Sequence, residues 1–203
     1  MSFEAPYYTY SKVKKRAEIF LEEFHPSRKL PIPIEEIIDV KMGINIFPFP
    51  RLYKDHGLNG FLTANRDTIY VDEIQYDSYI EKFRYTIAHE LGHYVLHKSY
   101  YKDLNFSNIK EYKKWRMSLP LEELDWFETH ADWFAGLVLV PTICLEKVCY
   151  EVINKYHDHL KKVKNSEDVW SYASNEIARY FCVNAPVVEI RIRKENFIYK
   201  IKI

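Results

Sequence analysis

Apolar positions along this chain keep a helical rhythm over most of its length, interrupted by one early stretch of alternation. Val13, Ala17, Phe20, Leu21 and Phe24 share one face of a predicted first helix that stops before Pro26. A second short helix is expected over residues 33–42, with Gly43 suited to its C-terminal cap. Residues 44–49 then read as a strand, and residues 60–63 with 68–72 as a hairpin turning around Asn65-Arg66-Asp67. From Ser78 to His97 the period returns to that of a helix, with Phe83, Ile87, Leu91 and Val95 as its core stripe. Leu124, Ala131, Ala135 and Val138 form another stripe after Pro120, where Glu122 and Glu123 suit the positive end of the helix dipole. Helices follow over 143–160 and 169–181. Asn184-Ala185-Pro186 can start a short closing helix, and Phe197, Tyr199, Ile201 and Ile203 alternate as a terminal strand would. The expectation is an α+β fold: a small antiparallel or mixed sheet packed on the helix of residues 78–97 and several further helices. A single domain over residues 1–203 is expected, with a polar, insertion-like excursion at 98–120 and a helical portion at 143–203.

Chemistry enters with His89-Glu90-Leu91-Gly92-His93 inside that helix. Residues four apart on an α-helix lie about 40° apart and one turn along, so both imidazoles can reach one tetrahedral metal ion. Glu90 sits between them, where its carboxylate can serve a water held by the ion without being a ligand. This is the minimum equipment for zinc-assisted amide hydrolysis. A bare H-E-x-x-H run also arises by accident, so a third ligand has to be found.

A metzincin would place Gly and His at fixed steps after the second histidine, and here those positions hold Leu96 and Ser99. The alternative is a glutamate from a second helix. Glu128 lies on the apolar stripe of the later helix, where a carboxylate is costly unless a cation or several donors receive it; the plainer reading is a solvated carboxylate beside that stripe. Asp132, one turn on, can accept the remaining N–H of His89 or His93 and fix its tautomer. His130 is a rival ligand, but it points to the opposite flank. His97 and Tyr70 are candidates for contacting the oxyanion or the substrate, and a helix-end histidine easing the C-terminal dipole also explains His97. The strand at 68–72 is the candidate edge for an extended peptide; the other reading makes Ile69 and Val71 core residues of an ordinary hairpin.

With both helices in view the chain resembles the ImmA/IrrE family of H-E-x-x-H metallopeptidases. The resemblance rests on the run from Arg84 to His97, on Glu128-Thr129-His130-Ala131-Asp132-Trp133-Phe134-Ala135, and on Leu139-Val140-Pro141 ending that helix. Upstream, Pro33-Ile34-Glu35-Glu36-Ile37-Ile38 through Met42-Gly43-Ile44 is similar to the family's short helix and first strand. The resemblance implies Zn2+ at His89, His93 and Glu128, a gluzincin-like set, with Glu90 as general base. It also implies a narrow regulatory protease acting on a DNA-binding repressor, including those of mobile elements. The charged stretch from Lys98 to Trp126 has no match in the family pattern. Some members carry a fused helix-turn-helix domain, and none is expected ahead of residue 1 here.

Composition narrows the alternatives. Lys plus Arg equals Asp plus Glu at 29 each, so no global field points to nucleic acid, and direct nucleic-acid binding is not expected. The basic runs at 12–16 and 161–164 are most simply solvated faces. Cys144, Cys149 and Cys182 form no C-x-x-C pair and suit a reduced, cytoplasmic setting. No signal peptide is evident, and the longest apolar stretch, 133–145, is too short to span a membrane. The expected function is therefore a cytoplasmic zinc endopeptidase, the water at zinc attacking the peptide carbonyl while Glu90 takes its proton. Its expected partner is a protein substrate such as a helix-turn-helix repressor. Two other functions compete: a non-cleaving module that docks a transcription factor, which has no chemical need for Glu90, and a metal-stabilised structural domain, which would use four protein ligands rather than three.

Overall fold

The computed structural model describes residues 7–101, 104–106, 108–160 and 166–200. Helix α1 (Tyr10–Phe24) starts where the Thr9 hydroxyl accepts from the Lys12 N–H, and it buries Val13, Ala17, Phe20 and Leu21. A short helix α2 (Ile34–Glu36) continues as a wider turn through Ile37–Lys41 and closes on Gly43, whose φ of 65° suits a residue without a side chain. Strand β1 (Asn45–Phe49) follows, then helix α3 (Leu52–His56), strand β2 (Gly60–Leu62) and strand β3 (Thr68–Asp72).

The hairpin forms as its alternation predicts, with β2 antiparallel to β3. The sheet order is β1-β3-β2, because β1 pairs parallel with the far side of β3. This corrects one expectation. Strand β3 is the middle strand, its backbone committed on both sides, and β2 is the strand that borders the site. Thr63 donates to the Thr68 carbonyl and Asp72 to the Asn59 carbonyl, so the alternation of antiparallel pairs places Phe61 opposite Tyr70 as a bonded pair. The main-chain groups of Gly60 and Leu62 therefore point away from β3.

Asp72 ends β3 and caps helix α4 (Glu73–Ser78), accepting from the Ile74 N–H at 3.2 Å while its other oxygen receives the Tyr53 N–H at 2.8 Å. Helix α5 (Ile80–Leu96) lies under the sheet with Phe83, Ile87 and Leu91 buried. Each such side chain contributes about 1.5–3 kcal/mol of transfer free energy. Val95 is only half-buried, because a strict four-residue repeat drifts about 40° per step on a helix. Arg84, buried on α5, donates to both Glu35 oxygens and to the carbonyls of Ile32 and Cys182, tying the early turn and the C-terminal helices to α5.

Short helix α6 (Lys98–Tyr101) and helix α7 (Ile109–Ser118) occupy the segment whose composition suggested a polar excursion. Tyr101, Phe106 and Tyr112 are buried there, and Tyr112 stacks on Phe61 of β2. Helix α8 (Leu121–Leu139) begins at Pro120 with Glu122 and Glu123 in its first turn, and packs on α5 along one face and on α1 along another. Helices α9 (Thr142–Leu160), α10 (Ser166–Phe181) and α11 (Ala185–Lys194) follow, α11 starting after Asn184 with Pro186 in its first turn.

The terminal strand is not seen. Phe197–Lys200 form a helix, α12, after Asn196 adopts the left-handed region at φ 58°, and Phe197 is buried. Burial of Phe197 beside α10 and α11 outweighs the alternation over 197–200. Ile201 and Ile203, the rest of that pattern, and the basic run at 161–164 lie outside the described residues. Mostly helical with one small mixed sheet, the architecture is the α+β zincin-like fold. Among the described residues, no helix is long and apolar enough to cross a membrane.

Candidate metal centre

The two helices α5 and α8 meet at Gly92 and Ala131, and this close approach sets the geometry of everything polar between them. A Cβ on Gly92 would lie 2.9 Å from Ala131 Cα and 3.0 Å from its carbonyl oxygen. With the backbones this near, side chains one turn to the N-terminal side of each residue converge. His89 Nε2 lies 3.1 Å from His93 Nε2 and 3.2 Å from Glu128 Oε2, and His93 Nε2 lies 4.0 Å from the same oxygen. Bonds of about 2.0–2.1 Å to one tetrahedral zinc ion imply ligand–ligand edges of roughly 3.3 Å. The three atoms fit that triangle, and together they form a group that could hold a metal ion.

Asp132 stands behind His89. Its Oδ1 is 2.8 Å from His89 Nδ1 and also accepts from the Tyr85 hydroxyl at 3.1 Å, which leaves Nε2 of His89 aimed at Glu128. Burial alone would favour neutral His89. The hydrogen bonds to Asp132 and Glu128 outweigh it and push the imidazole up to about 10. Glu128 is held below the ordinary carboxylate range, since His89 and Arg116 overcome the burial that raises it. These two carboxylates thus favour positive charge at this point, the sign that a divalent ion would bring.

Glu90 points to the other side of α5, toward β2. It is 5% exposed, its carboxylate accepts a hydrogen bond from the Leu62 main chain, and a Cβ on Gly60 would lie 3.6 Å from its Oε1. Burial pushes its carboxyl up to about 7; His89 and Arg116 lower it, and Glu128 raises it. Around it a cleft of about 260 Å³ runs between β2 and the two helices, bordered by Asn59, Gly60, Thr86, His89, Arg116 and Glu128.

Comparison with known proteins fits this geometry. The family model described as IrrE N-terminal-like domain (Peptidase_M78) matches residues 74–193, more than half of the chain, and takes in both helices. The chain belongs to the ImmA/IrrE peptidase family. No curated protein matches it. A solved Mycobacterium tuberculosis transcriptional regulator superposes with a TM-score of 0.52 at 15% identity, over 89% of this chain and 46% of that one. At that identity the likeness is one of fold, and the present chain spans about half the length of its neighbour.

Two residues singled out from the sequence of this ImmA/IrrE member fall outside the cleft. His97 is fully buried as the residue that ends α5. Its Nδ1 is 3.0 Å from His93 Nδ1, and its ring stacks on Phe127 with centroids 4.0 Å apart. Extrapolating the helix put it on the cleft side, but its φ of −112° and ψ of 23° leave the helical line and turn the ring inward. Tyr70, in the middle strand, packs among Phe47, Phe49 and Phe61 on the sheet and does not border the cleft. His130 is buried with its Nε2 accepting from the Tyr8 N–H, away from the other two imidazoles of the pair.

The sequence reading missed Arg116. Helix α7 carries it into the cleft, where Nη1 is 2.5 Å from Glu128 Oε1, the oxygen turned away from His89. Tyr112, one turn earlier, lies 3.5 Å from the same nitrogen. A basic residue four positions before Pro120 and twelve before Glu128 was the available signal, but nothing in the spacing shows that the intervening turn folds α7 back over α8.

Proposed function

We propose that the chain is a zinc-dependent endopeptidase in which His89, His93 and Glu128 hold the metal and Glu90 is the general base. The observation that carries this reading is the triangle of His89 Nε2, His93 Nε2 and Glu128 Oε2, with edges matching a tetrahedral ion, beside a buried carboxylate that is not part of it. A divalent ion held there supplies a Lewis acid that polarises the scissile carbonyl and acidifies water. Glu90, raised toward neutrality by burial, takes the proton from the attacking water and delivers it to the leaving amine. Asp132 keeps His89 in the tautomer that presents Nε2, and His97 does the same for His93. Arg116 is the charged donor bordering the cleft and stabilises negative charge that develops on the substrate oxygen.

The edge of β2 supports a peptide as substrate. Its outward main-chain groups lie beside Glu90, so an extended chain can add to the sheet with its scissile bond over the metal. Family membership and a fold shared with a transcriptional regulator favour a regulatory protein substrate, and a helix-turn-helix repressor in the cytoplasm is the reading we adopt.

The test incubates zinc-loaded protein with a helix-turn-helix repressor encoded beside its gene and follows fragments by mass spectrometry. Cleavage that stops in Glu90→Gln and on zinc removal, with Glu90→Gln still binding zinc, is expected. Loss of repressor activity without fragments, equal in both proteins, would overturn hydrolysis in favour of a docking module.

A further inference from the structure

A second concavity adjoins the metal cleft at Asp132. The Tyr85–Asp132 pair, joined by its 3.1 Å hydrogen bond, is a wall shared with this concavity of about 230 Å³ on the far side of α8. Trp133 and Gly136 of α8 and Val187 and Ile190 of α11 give that concavity an apolar lining. Its volume falls below the roughly 300–1,000 Å³ of most small-molecule sites, so it suits a single side chain rather than a cofactor.

Its two cations differ. Arg191 is spent within the fold: it donates to the Val140 carbonyl, the Tyr10 and Thr142 hydroxyls and Glu195. Lys194 makes no ion pair among the described residues. Its ammonium lies 5.1 Å from the Trp133 ring centroid and 5.6 Å from that of Tyr10, at the rim of the concavity. Ile190 is 55% exposed beside it, an apolar side chain that nothing in the chain covers among the described residues.

We propose that this concavity is the specificity pocket of the enzyme, receiving a bulky apolar or aromatic side chain of the polypeptide substrate, with Lys194 selecting an acidic residue next to it. Adjacency to the cleft across Tyr85 and Asp132, together with the charge of Lys194, identifies the occupant. The proposal rests on the peptidase reading, and it also makes that reading selective. Because Asp132 both walls the pocket and holds His89, a side chain seated there lies against the group that orients a metal-binding imidazole.

The test uses a positional library of internally quenched octapeptides with the full zinc-loaded chain, reading the ratio of cleavage between peptides. Binding of the same peptides to Glu90→Gln is followed in parallel by fluorescence anisotropy. Wild type is expected to prefer Phe, Leu or Met over Ala about 10- to 100-fold at one position, with Asp or Glu favoured beside it. Ile190→Trp, a change at an exposed position, should reverse the size preference, and Lys194→Glu should turn the acidic preference basic. Preferences that persist unchanged in both variants overturn the pocket while leaving the peptidase intact. Preferences seen in binding and altered by both variants, without cleavage by wild type, uphold the pocket and overturn the peptidase. No selective binding or cleavage in any protein overturns the pocket.

Discussion

Gly92 lies so close to Ala131 that a single added methyl would sit 2.9 Å from the Ala131 Cα. The obstructing atoms are backbone, which cannot rotate aside. Gly92→Ala therefore gains about 1 kcal/mol of helix propensity but meets an overpacking cost of about 1–3 kcal/mol. The net loss of stability is expected to be small. The displacement is not, because it separates α5 from α8 where His89 and His93 face Glu128. Zinc affinity measured by chelator competition should fall at least tenfold while the melting temperature drops by only a few degrees. Unchanged affinity would show that the close approach does not set the metal geometry.

Arg116 holds the Glu128 oxygen that faces away from His89, at 2.5 Å. Arg116→Met should lower peptide turnover about 10- to 100-fold while zinc content by mass spectrometry stays the same, the range usual for partners of metal ligands. Arg116→Lys keeps the charge but not the planar fork and should recover only part of the loss. Full turnover in Arg116→Met would remove Arg116 from the chemistry.

What the sequence disclosed and what it concealed divide along a physical line. His89 and His93 share one face of α5, and Glu128 and Asp132 one face of α8; helix geometry is local, so placement within each helix follows from spacing alone. The hairpin of β2 and β3 is equally local. Arg116 reaches Glu128 only because a turn at Pro120 doubles α7 back on α8, and β3 becomes the middle strand only because β1 pairs with it in parallel across more than twenty residues. Neither pairing leaves a periodic trace. His97 shows the remaining failure, in which helical arithmetic is carried one residue past the end of the helix.

His97 offers a separation of stability from metal binding. Its Nδ1 meets His93, its ring stacks on Phe127, and its buried Nε2 has no partner. Burial and the neighbouring histidines hold the imidazole well below its usual range, so it is neutral and able to accept from His93. His97→Phe keeps the stacking and exchanges the unpaired His97 Nε2 for an unpaired His93 Nδ1, so thermal melts should stay within a few degrees of wild type. It also strips His93 of its partner, and zinc affinity should fall about 10- to 100-fold. His97→Asn, which retains an acceptor, should lose less affinity. If His97→Phe binds zinc as tightly as wild type, the hydrogen bond does not orient His93.

Acid stability should be governed outside the metal triangle, at Glu195. Its carboxylate receives Lys14 at 2.6 Å and Arg191 at 2.8 Å, and despite burial, which raises it, these hold the carboxyl down to about 2. A carboxyl depressed on folding from an ordinary 4.5 stabilises the native state fully above the unfolded value, and that contribution drains away as pH falls from about 4.5 toward 2. Glu195→Gln leaves buried Arg191 without its charge partner and should cost about 3–5 kcal/mol near neutrality. Urea denaturation of metal-free protein, which removes the pH dependence of zinc binding, should show the gap between wild type and Glu195→Gln narrowing steadily below pH 4.5. A constant gap from pH 7 to pH 3 would mean that the Arg191–Glu195 pair does not couple protonation to folding.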